Sequence, residues 1–422
     1  MRRRIVITGL GAVTPIGNSV PDTWEGICTG RSGIGGITRF DAARFKTRIA
    51  GELKNFDPLN FVDKKELRRM DDFIVYALAA AEMAVADAGL VVGQGTGGQG
   101  SGKANGDRVG VIIGSAIGGL ATMENEKEAI LKEGPGKISP FTVPAVLPNL
   151  GAGQVSIRFG AKGPIGCPVA ACASGTCAIG DAARVIREGD ADVMIAGGTE
   201  AAITPLAVAG FNAMRALSVN NDYPEQASRP FDRDRDGFVI SEGAGLVILE
   251  EMSVALNRGA RIYAEVAGYG CTGDAFHVAA PPPGGAGAAR CMHAALRDAA
   301  MNPADVDYIN AHGTATVAND RNETEAIKTV FGEHSGMLAV SSTKSVTGHL
   351  LGAAGGVEAI IAAMALYEGL LPPTTNLDHP DEKCDLDCIP HRPRKKNIRA
   401  ALSNTFGFGG VNAVLALRKF VR

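Results

Sequence analysis

The hexapeptide Val6-Ile7-Thr8-Gly9-Leu10-Gly11 has a counterpart later in the chain, Glu265-Val266-Ala267-Gly268-Tyr269-Gly270. Two further pairs of segments repeat in the same order, residues 168–175 with 338–355 and residues 245–251 with 412–418. Similarity that recurs in one fixed order is typical of a duplicated architecture. The chain is therefore predicted to consist of two halves, residues 1–258 and 259–422, each of which supplies one β-sheet.

Short β-branched runs alternate with alanine-rich helical stretches along the 422 residues. Residues 5–8, 109–113 and 193–196 are runs of the first kind, and residues 72–88 form a stretch of the second kind. This alternation predicts an α/β fold. Helices enclosed between two sheets must be apolar and small, and the 55 glycines together with abundant alanine meet that requirement.

The composition excludes several classes of protein. Lys and Arg number 42 against 45 Asp and Glu, so no general basic excess indicates a nucleic-acid-binding protein. The eight cysteines lack the dense spacing of a disulfide framework, which favours the reducing cytoplasm. The longest apolar segment, 350–371, contains Glu358 and Glu368, so it is predicted to form a buried helix and a strand and not a membrane span. Residues 91–107 are glycine-rich, which predicts a mobile surface loop.

Three residues are candidates for catalysis. Cys172 follows an extended apolar stretch and precedes a small-residue helix, where backbone N–H groups and the helix dipole favour a thiolate. His312 ends a short strand, and His349 lies among glycines in the element that corresponds by duplication to the one with Cys172. A single Cys or His is more often a buried structural residue. Three of them in glycine-rich turns favour a Cys-His-His site, with Cys172 and His349 at similar depth near the axis that relates the halves.

A fourth glycine-rich segment, residues 403–412, enters the last predicted strand. Its backbone N–H groups suit an oxyanion hole, although a tight turn around a packed aromatic ring explains the same residues equally well. The spacings of the other cysteines fit neither a zinc site nor a redox Cys-x-x-Cys motif. No metal site is therefore expected.

Four motifs together resemble the β-ketoacyl-[acyl-carrier-protein] synthases, condensing enzymes of fatty-acid synthesis in the thiolase-like superfamily. They are Ala171-Cys172-Ala173-Ser174-Gly175, Asn310-Ala311-His312-Gly313-Thr314, Lys344-Ser345-Val346-Thr347-Gly348-His349 with Gly352-Ala353-Ala354-Gly355, and Gly407-Phe408-Gly409-Gly410. The match extends nearly end to end, and only residues 91–107 look inserted. The resemblance implies an internally duplicated, five-layered αβαβα fold and an acyltransferase.

By this resemblance, Cys172 is the nucleophile that takes an acyl chain as a thioester. His312 and His349 would bind the malonyl thioester and promote loss of CO2, because N–H donors aimed at the developing enolate stabilise its charge. The backbone N–H groups of Cys172 and Phe408 would form the oxyanion hole. The implied reaction is a decarboxylating Claisen condensation in fatty-acid elongation, which gives a β-ketoacyl chain two carbons longer.

Further residues match supporting and binding positions of the family. Lys344 and Glu358 match a pair that positions the histidine region. Thr314 and Thr316 are expected to contact pantetheine. Ile117 is expected to line the acyl pocket, and the ring of Phe408 is expected to act as a gate.

The resemblance also implies partners. Acidic acyl carrier proteins, in acyl and malonyl forms, are expected to bind, and the chain is expected to form a homodimer. Carrier contacts are expected at the basic residues Lys64, Lys65, Arg68, Arg69 and Arg215. No organic cofactor is expected, because phosphopantetheine arrives on the carrier. Neither nucleic acid nor a membrane is expected as a partner.

The sequence departs from the family pattern at three places. Val317-Ala318-Asn319 stands where a proline usually follows the last threonine, and His277-Val278-Ala279 lacks the hydroxyl of a His-x-Thr segment. Phe141-Thr142 replaces a Phe-Phe pair that lies near the acyl pocket and dimer interface of the family. None of these changes removes a catalytic group, but they leave acyl chain length and carrier identity open.

Three other functions share parts of the pattern. A ketosynthase of a specialised polyketide or modified-lipid pathway would carry the same motifs. Thiolase-type degradation resembles a Cys-His-Cys arrangement, and residues 407–412 contain no cysteine. A non-condensing subunit that sets chain length would bind carrier protein without a nucleophile, so Cys172 argues against it.

Overall fold

Both halves of the chain contribute to one large β-sheet. The computed structural model describes residues 2–93 and 102–421. Its strands are β1 (Ile5–Val13), β2 (Gly35–Gly36), β3 (Ile49–Ala50), β4 (Val91–Gly93), β5 (Lys103–Asn105), β6 (Val109–Gly114), β7 (Ile165–Gly166), β8 (Val193–Glu200), β9 (Gly243–Glu251), β10 (Ala264–Gly273), β11 (Tyr308–Asn310), β12 (Ala339–Ser341), β13 (Leu370–Leu371), β14 (Arg394–Lys395), β15 (Ala400–Gly407) and β16 (Val411–Arg418). Its helices are α1 (Val20–Thr29), α2 (Lys64–Leu67), α3 (Asp72–Asp87), α4 (Leu120–Glu133), α5 (Thr142–Val146), α6 (Leu150–Phe159), α7 (Ser174–Glu188), α8 (Pro205–Ala213), α9 (Pro224–Ala227), α10 (Met252–Asn257), α11 (Ala286–Asp298), α12 (Val317–Phe331), α13 (Lys344–Thr347) and α14 (Ala354–Glu368).

The large sheet has ten strands in the order β12-β11-β15-β16-β10-β1-β9-β8-β6-β7. The five strands from β1 to β7 in this order come from the first half of the chain, and the other five come from the second half. The two sets meet where β1 pairs with β10, Val6 opposite Glu265 and Ile7 opposite Ala264. Each half supplies its own set of strands, but this short antiparallel pairing joins the two sets into one sheet, where the duplication predicts one sheet for each half.

Helices form three layers around these strands. On the outer faces, α3 and α6 cover the strands of the first half, and α11 and α12 cover those of the second half. The helices α7 and α14 touch each other and lie between the two sets of strands. The segment Leu351–Glu368 is long and apolar enough for a membrane span, but 83% of it is buried inside the fold. The α/β class, the five layers and the buried helix of residues 350–371 are thus confirmed.

In the first half, two glycines of the quoted hexapeptide let α3 lie directly on β1. A Cβ atom at Gly9 would lie 2.2 Å from the backbone oxygen of Ala84, and one at Gly11 would lie 2.0 Å from that of Ala80. The register of β1 against β9 shifts at Thr8, between these contacts and the start of the strand. Any larger residue at either glycine would have to push the helix away from the sheet.

The second hexapeptide, residues 265–270, also lets a helix, α11, lie directly on its strand, β10. Cβ atoms at Gly268 and Gly270 would lie 2.4 Å and 2.3 Å from the backbone oxygens of Ala295 and Cys291. The register of β10 against β16 also shifts one residue before the first of these glycines. The duplication is therefore present in the backbone contacts as well as in the order of elements.

The described flanks of the glycine-rich segment 91–107 contain regular structure. Residues 94–101 lie outside the described residues. On either side of them, β4 and β5 pair in parallel as a two-stranded sheet, and a short 3-10 turn follows at Gly106–Arg108. The prediction of a loop over the whole segment is therefore wrong at these flanks. Strands pair through backbone hydrogen bonds, so residues without side chains can still form them.

Replacing Gly11 or Gly270 with alanine should destabilise the protein. The added Cβ must displace a helix backbone, and overpacking of this kind costs about 1–3 kcal/mol. The free energy of unfolding, measured by urea titration, reports the loss. Gly210→Ala in α8 is the control, because nothing lies within 4 Å of a Cβ atom there and the exchange in a helix stabilises by about 0.5–1 kcal/mol. Equal stability of Gly11→Ala and the unsubstituted protein would contradict the close packing.

Candidate active site

Cys172 lies in a strained turn at the start of α7. Residues Ala171–Ala173 form one 3-10 turn, and α7 continues directly from Ser174. Ala171 has a φ angle of 48°, in the left-handed region that costs a residue with a Cβ atom about 1–2 kcal/mol. The Cys172 side chain is 9% exposed. We call residues 170–175 the first elbow.

The second half contains the same turn. Leu351–Ala353 form a 3-10 turn before α14, and Leu351 also has a φ angle of 48°. By this correspondence Gly352 occupies the position of Cys172, and His349 lies three residues before it. We call residues 350–354 the second elbow. The two elbows touch, because a Cβ atom at Gly175 would lie 2.9 Å from the backbone oxygen of Gly352.

The structure brings the three candidate residues together. The Nε2 atom of His349 lies 3.0 Å from the Sγ atom of Cys172. The rings of His312 and His349 stand nearly perpendicular, at 84°, with centroids 5.3 Å apart. Both histidines are 2% exposed. The thiol of Cys172, in the first elbow, and the two imidazoles therefore form one wall of the site. The duplication argument predicts this closeness for Cys172 and His349.

Burial dominates the titration of the thiol. It raises the pKa of Cys172 to about 12, while the charge of Lys344 and the backbone N–H groups of Phe408 and Cys172 lower it. The N–H groups predicted to favour a thiolate thus act in the expected direction, but the desolvation of a buried charge is the larger effect. Cys172 is a neutral thiol at neutral pH.

The two imidazoles are also neutral. Burial lowers the pKa of His312 and of His349 well below the ordinary value, and the nearby charge of Lys344 lowers both further. The Nδ1 atoms of both rings are buried without a hydrogen-bond partner among the described residues. Neutral imidazoles can donate an N–H to a developing oxyanion without carrying a charge into the apolar site.

Lys344 and Glu358 form a buried ion pair behind His312. The Lys344 ammonium donates to the Glu358 carboxylate and, at 2.6 Å, to the backbone oxygen of His312. Burial raises the pKa of Glu358 to about 7, and Lys344 opposes this rise. The pair fixes the backbone of His312, and the charge of Lys344 adds to the effect of burial on both histidines.

Glu323 in α12 is a supporting residue that the motifs did not indicate. Its carboxylate accepts the backbone N–H groups of His312 at 2.9 Å and Gly313 at 2.8 Å, and the side-chain amide of Asn404 at 3.2 Å. Burial raises its pKa, and these three donors lower it. One signal was available: the buried apolar residues at 326, 327, 330 and 331 place Glu323 on the apolar stripe of the helix, where an unpaired carboxylate is costly.

A cavity of about 670 Å³ opens in front of the three residues. Its lining includes the predicted substrate-binding residues Ile117, Thr314, Thr316 and Phe408, and the predicted carrier contact Arg215. The hydroxyls of Thr314 and Thr316 lie 2.9 Å apart. Gly407, next to Phe408, packs against the first elbow, since its Cβ atom would lie 3.3 Å from the backbone nitrogen of Cys172.

The basic residues 64–69 lie elsewhere. All four of the predicted contacts in this segment are exposed, but none of them lines the large cavity. Arg68 and Arg69 line a separate cavity of about 150 Å³, and Arg69 stacks over the ring of Phe141 at 4.5 Å. Within one chain the structure therefore does not bring this segment and Arg215 to the same opening.

The three departures from the family pattern also fall into two groups, one that lines the large cavity and one that lines the small cavity. His277, Ala279 and the segment 317–319 line the large cavity, so these departures do face its contents. Phe141 and Thr142 line the small cavity. The expectation that Thr142 lies near the acyl pocket is therefore not met within one chain.

Within residues 2–93 and 102–421, two groups of side chains could hold a metal ion by distance alone. One is the Cys172, His312 and His349 set, and the other is formed by Asp232, Asp234 and His379. In the second group, Asp232 already accepts the backbone N–H groups of His379 at 2.7 Å and Asp234 at 2.8 Å. The carboxylate of Asp232 therefore already has backbone N–H donors, and these contacts account for the acidic group without a metal ion.

Alkylation of Cys172 by iodoacetamide should accelerate with pH up to about pH 10. Only the thiolate reacts, and its fraction grows about tenfold per pH unit below a pKa of about 12. Peptide mass mapping gives the rate at each cysteine. Cys271 is a control within the chain, because it is exposed and a hydrogen bond with Cys177 lowers its pKa, so its rate should level off at lower pH. A Cys172 rate that levels off below about pH 8 would contradict the dominance of burial.

Comparison with known proteins relates this site to a family. Residues 2–255 match the family model of the Beta-ketoacyl synthase N-terminal domain, and residues 263–378 match that of the C-terminal domain. Proteins named 3-oxoacyl-[acyl-carrier-protein] synthase 2 from Synechocystis and Staphylococcus aureus are each 52% identical, and the match covers 99% of this chain and 99% of each relative. The relative of that name from Coxiella burnetii is 50% identical over the same shares.

Solved structures agree with this assignment. A ketosynthase in complex with a type II polyketide acyl-carrier protein is 36% identical, with a TM-score of 0.91 and full coverage of both chains. A β-ketoacyl synthase from Burkholderia phymatum is 34% identical, with a TM-score of 0.89 over 99% of this chain and 100% of that one. The four motifs predicted this family correctly. The chain belongs to the β-ketoacyl synthase family of condensing enzymes, which are acyltransferases.

Proposed function

We propose that this chain condenses an acyl-acyl carrier protein with malonyl-acyl carrier protein in fatty-acid elongation, releasing CO2. The observation that carries the proposal is the thiol of Cys172, which lies 3.0 Å from Nε2 of His349 at the wall of a cavity that also contains His312. Full-length relatives at 52% identity named 3-oxoacyl-[acyl-carrier-protein] synthase 2 support the substrate class.

The first half-reaction is acyl transfer to Cys172. Its sulfur forms a bond to the acyl carbonyl carbon, and the bond from that carbon to the pantetheine sulfur breaks. The thiol proton ends on the departing sulfur. The proposed donors to the negative charge of the tetrahedral intermediate are the backbone N–H groups of Cys172 and Phe408, which lower the pKa of the thiol.

The second half-reaction uses the two histidines. The bond between the malonyl methylene carbon and its carboxylate breaks, CO2 leaves, and the electron pair moves into the thioester as an enolate. Neutral N–H donors from His312 and His349 stabilise the enolate oxygen. The enolate carbon then bonds to the acyl carbon on Cys172, the carbon–sulfur bond breaks, and the sulfur takes a proton from water to restore the neutral thiol.

Acyl carrier protein is the proposed partner. The cavity reaches the surface beside Arg215, Val317 and Asn319, and Thr314 and Thr316 supply polar contacts for a pantetheine arm. The structurally similar polyketide ketosynthase was solved with its own carrier protein. We infer that the substrate brings its own phosphopantetheine, so that the chain requires no organic cofactor.

A homodimer is part of the proposal. Strand β7 ends the ten-stranded sheet, and large apolar side chains around it are exposed, Ile157 at 74%, Ile165 at 56% and Val169 at 61%. Exposed apolar residues at a sheet edge favour a second copy as the covering partner. A second copy could also bring its residues 64–69 towards the cavity of the first. A mass of one chain by light scattering would contradict the dimer.

The proposed location is the cytoplasm, and the proposed pathway is primary fatty-acid synthesis. All eight cysteines are free, which suits a reducing compartment. A specialised polyketide or modified-lipid pathway is the rival, because one structure at 36% identity is the ketosynthase of a type II polyketide carrier protein. The greater identity to the 3-oxoacyl synthases favours fatty acids.

Cys172→Ala should abolish condensation but still release CO2 from malonyl-carrier protein. The variant lacks the nucleophile but keeps both histidines, so condensation should fall by a factor on the order of 10³ or more. His312→Ala should lose CO2 release as well. Product masses from a ladder of acyl-carrier proteins and the CO2 released are the measurements.

The matched control is Cys384→Ala, which changes a buried cysteine outside the site. Condensation by Cys172→Ala at the full rate would overturn the proposal. Products with several successive keto groups from the unsubstituted protein would favour the polyketide alternative.

Arg215→Glu should raise KM for acyl-carrier protein about tenfold and leave kcat nearly unchanged, because a charge at the rim affects encounter more than chemistry. The effect should shrink at high salt. Lys395→Glu is the control, an exposed basic residue in β14 at the far end of α14. An equal change of KM in both variants would mean that Arg215 does not contact the carrier.

A further inference from the structure

Glu200 is a fully buried carboxylate that the proposed mechanism does not use. It ends strand β8, and its two oxygens accept four hydrogen bonds. Oε1 accepts from the Ser115 hydroxyl at 3.0 Å and from the backbone N–H of Ile117 at 3.2 Å. Oε2 accepts from the backbone N–H groups of Ala116 at 2.7 Å and Gly352 at 3.0 Å.

These donors come from two separate parts of the site. Residues 115–118, which we call the wall loop, leave strand β6 and carry Ile117 into the lining of the large cavity. Gly352 belongs to the second elbow, three residues after His349. Glu200 is thus the link between the cavity wall and the segment that carries a candidate catalytic histidine.

The end of β8 is fitted closely to both elbows. A Cβ atom at Gly198 would lie 2.2 Å from the backbone oxygen of Gly352 and 2.9 Å from the Cα atom of Gly175. A Cβ atom at Gly352 would itself lie 2.6 Å from Oε2 of Glu200. The same Cβ atom would lie 2.4 Å from the backbone nitrogen of Ala116, so the wall loop and the second elbow pack directly on each other and share the Glu200 carboxylate as an acceptor.

The four donors suit a carboxylate and no other side chain. Burial raises the pKa of Glu200 to about 7, and the hydrogen bonds from Ala116, Ser115, Gly352 and Ile117 lower it. A glutamine has one accepting oxygen, and its NH2 group cannot accept an N–H. In Glu200→Gln, therefore, two of the four donors lose their acceptor whichever way the amide lies.

We propose that Glu200 is a positioning residue that holds the wall loop against the second elbow and thereby determines which acyl groups reach Cys172. The proposal rests on the proposed function in treating the wall at Ile117 as an acyl pocket. Without the four bonds, the wall loop moves away from the elbow and the cavity beside Cys172 widens at Ile117.

The test measures the shape of the cavity without any carrier protein. Cys172 is alkylated with N-ethyl and with N-dodecyl iodoacetamide, and peptide mass mapping gives the two rates at this residue. In Glu200→Gln the ratio of the dodecyl to the ethyl rate should rise about tenfold, because a long chain needs the space that Ile117 closes. A purely structural loss of stability would not change this ratio selectively.

Glu250→Gln is the matched control. Glu250 is also fully buried and lies in the same sheet, but at the opposite end of the β8–β9 pair, where it accepts from Thr8 and Arg258. Its loss should lower the melting temperature and leave the alkylation ratio within about twofold of the unsubstituted protein. An equal rise of the ratio in both variants would overturn the proposal.

Ser115→Ala keeps the proposal testable if Glu200→Gln fails to fold, since it removes one donor and leaves the carboxylate. It should raise the ratio in the same direction by a smaller factor. An unchanged or lowered ratio in the folded variants would overturn the role of Glu200. Failure of the unsubstituted protein to condense carrier substrates would overturn the proposed function alone, because the alkylation ratio does not depend on condensation.

Discussion

The contact between the two elbows is the constraint on which the rest of the site depends. Gly175 and Gly352 bring the starts of α7 and α14 within van der Waals distance, and Gly198 brings the end of β8 against both. Each elbow needs a left-handed residue to make its turn, Ala171 in one half and Leu351 in the other. The packing of the core offsets that strain and holds Nε2 of His349 3.0 Å from the thiol of Cys172.

Burial determines the charges of the site. The thiol of Cys172 and the two imidazoles are all neutral, because each lies where a charge would be poorly solvated. The carboxylates of Glu323 and Glu358 are stabilised by specific donors, backbone N–H groups for the first and Lys344 for the second. The donors that face the substrate are neutral, and the charged groups Lys344, Glu358 and Glu323 lie behind them. This arrangement suits chemistry in which negative charge appears only on the substrate.

The sequence allowed the family, the layers and the meeting of Cys172 with His349 to be predicted, because each rests on local motifs and on their repetition. Glu323 and Glu200 were missed, since no motif shows which backbone N–H groups a buried carboxylate accepts. Those of Glu323 lie 10 and 11 residues away, and those of Glu200 lie much farther along the chain. The direction of the Cys172 pKa was wrong for a related reason. The helix dipole can be inferred from a turn before a helix, but the extent of burial depends on every layer around it.

The central position of β1 in the sheet has a consequence for how the chain folds during synthesis. Its neighbours are β9 and β10, and Ile5 pairs with Glu251. At about 5–20 residues per second, the ribosome needs on the order of 10–50 s to make the strands that flank β1. Through that interval an apolar strand with two free edges must be kept from pairing elsewhere, so β1 can reach its native neighbours only long after it has itself been made.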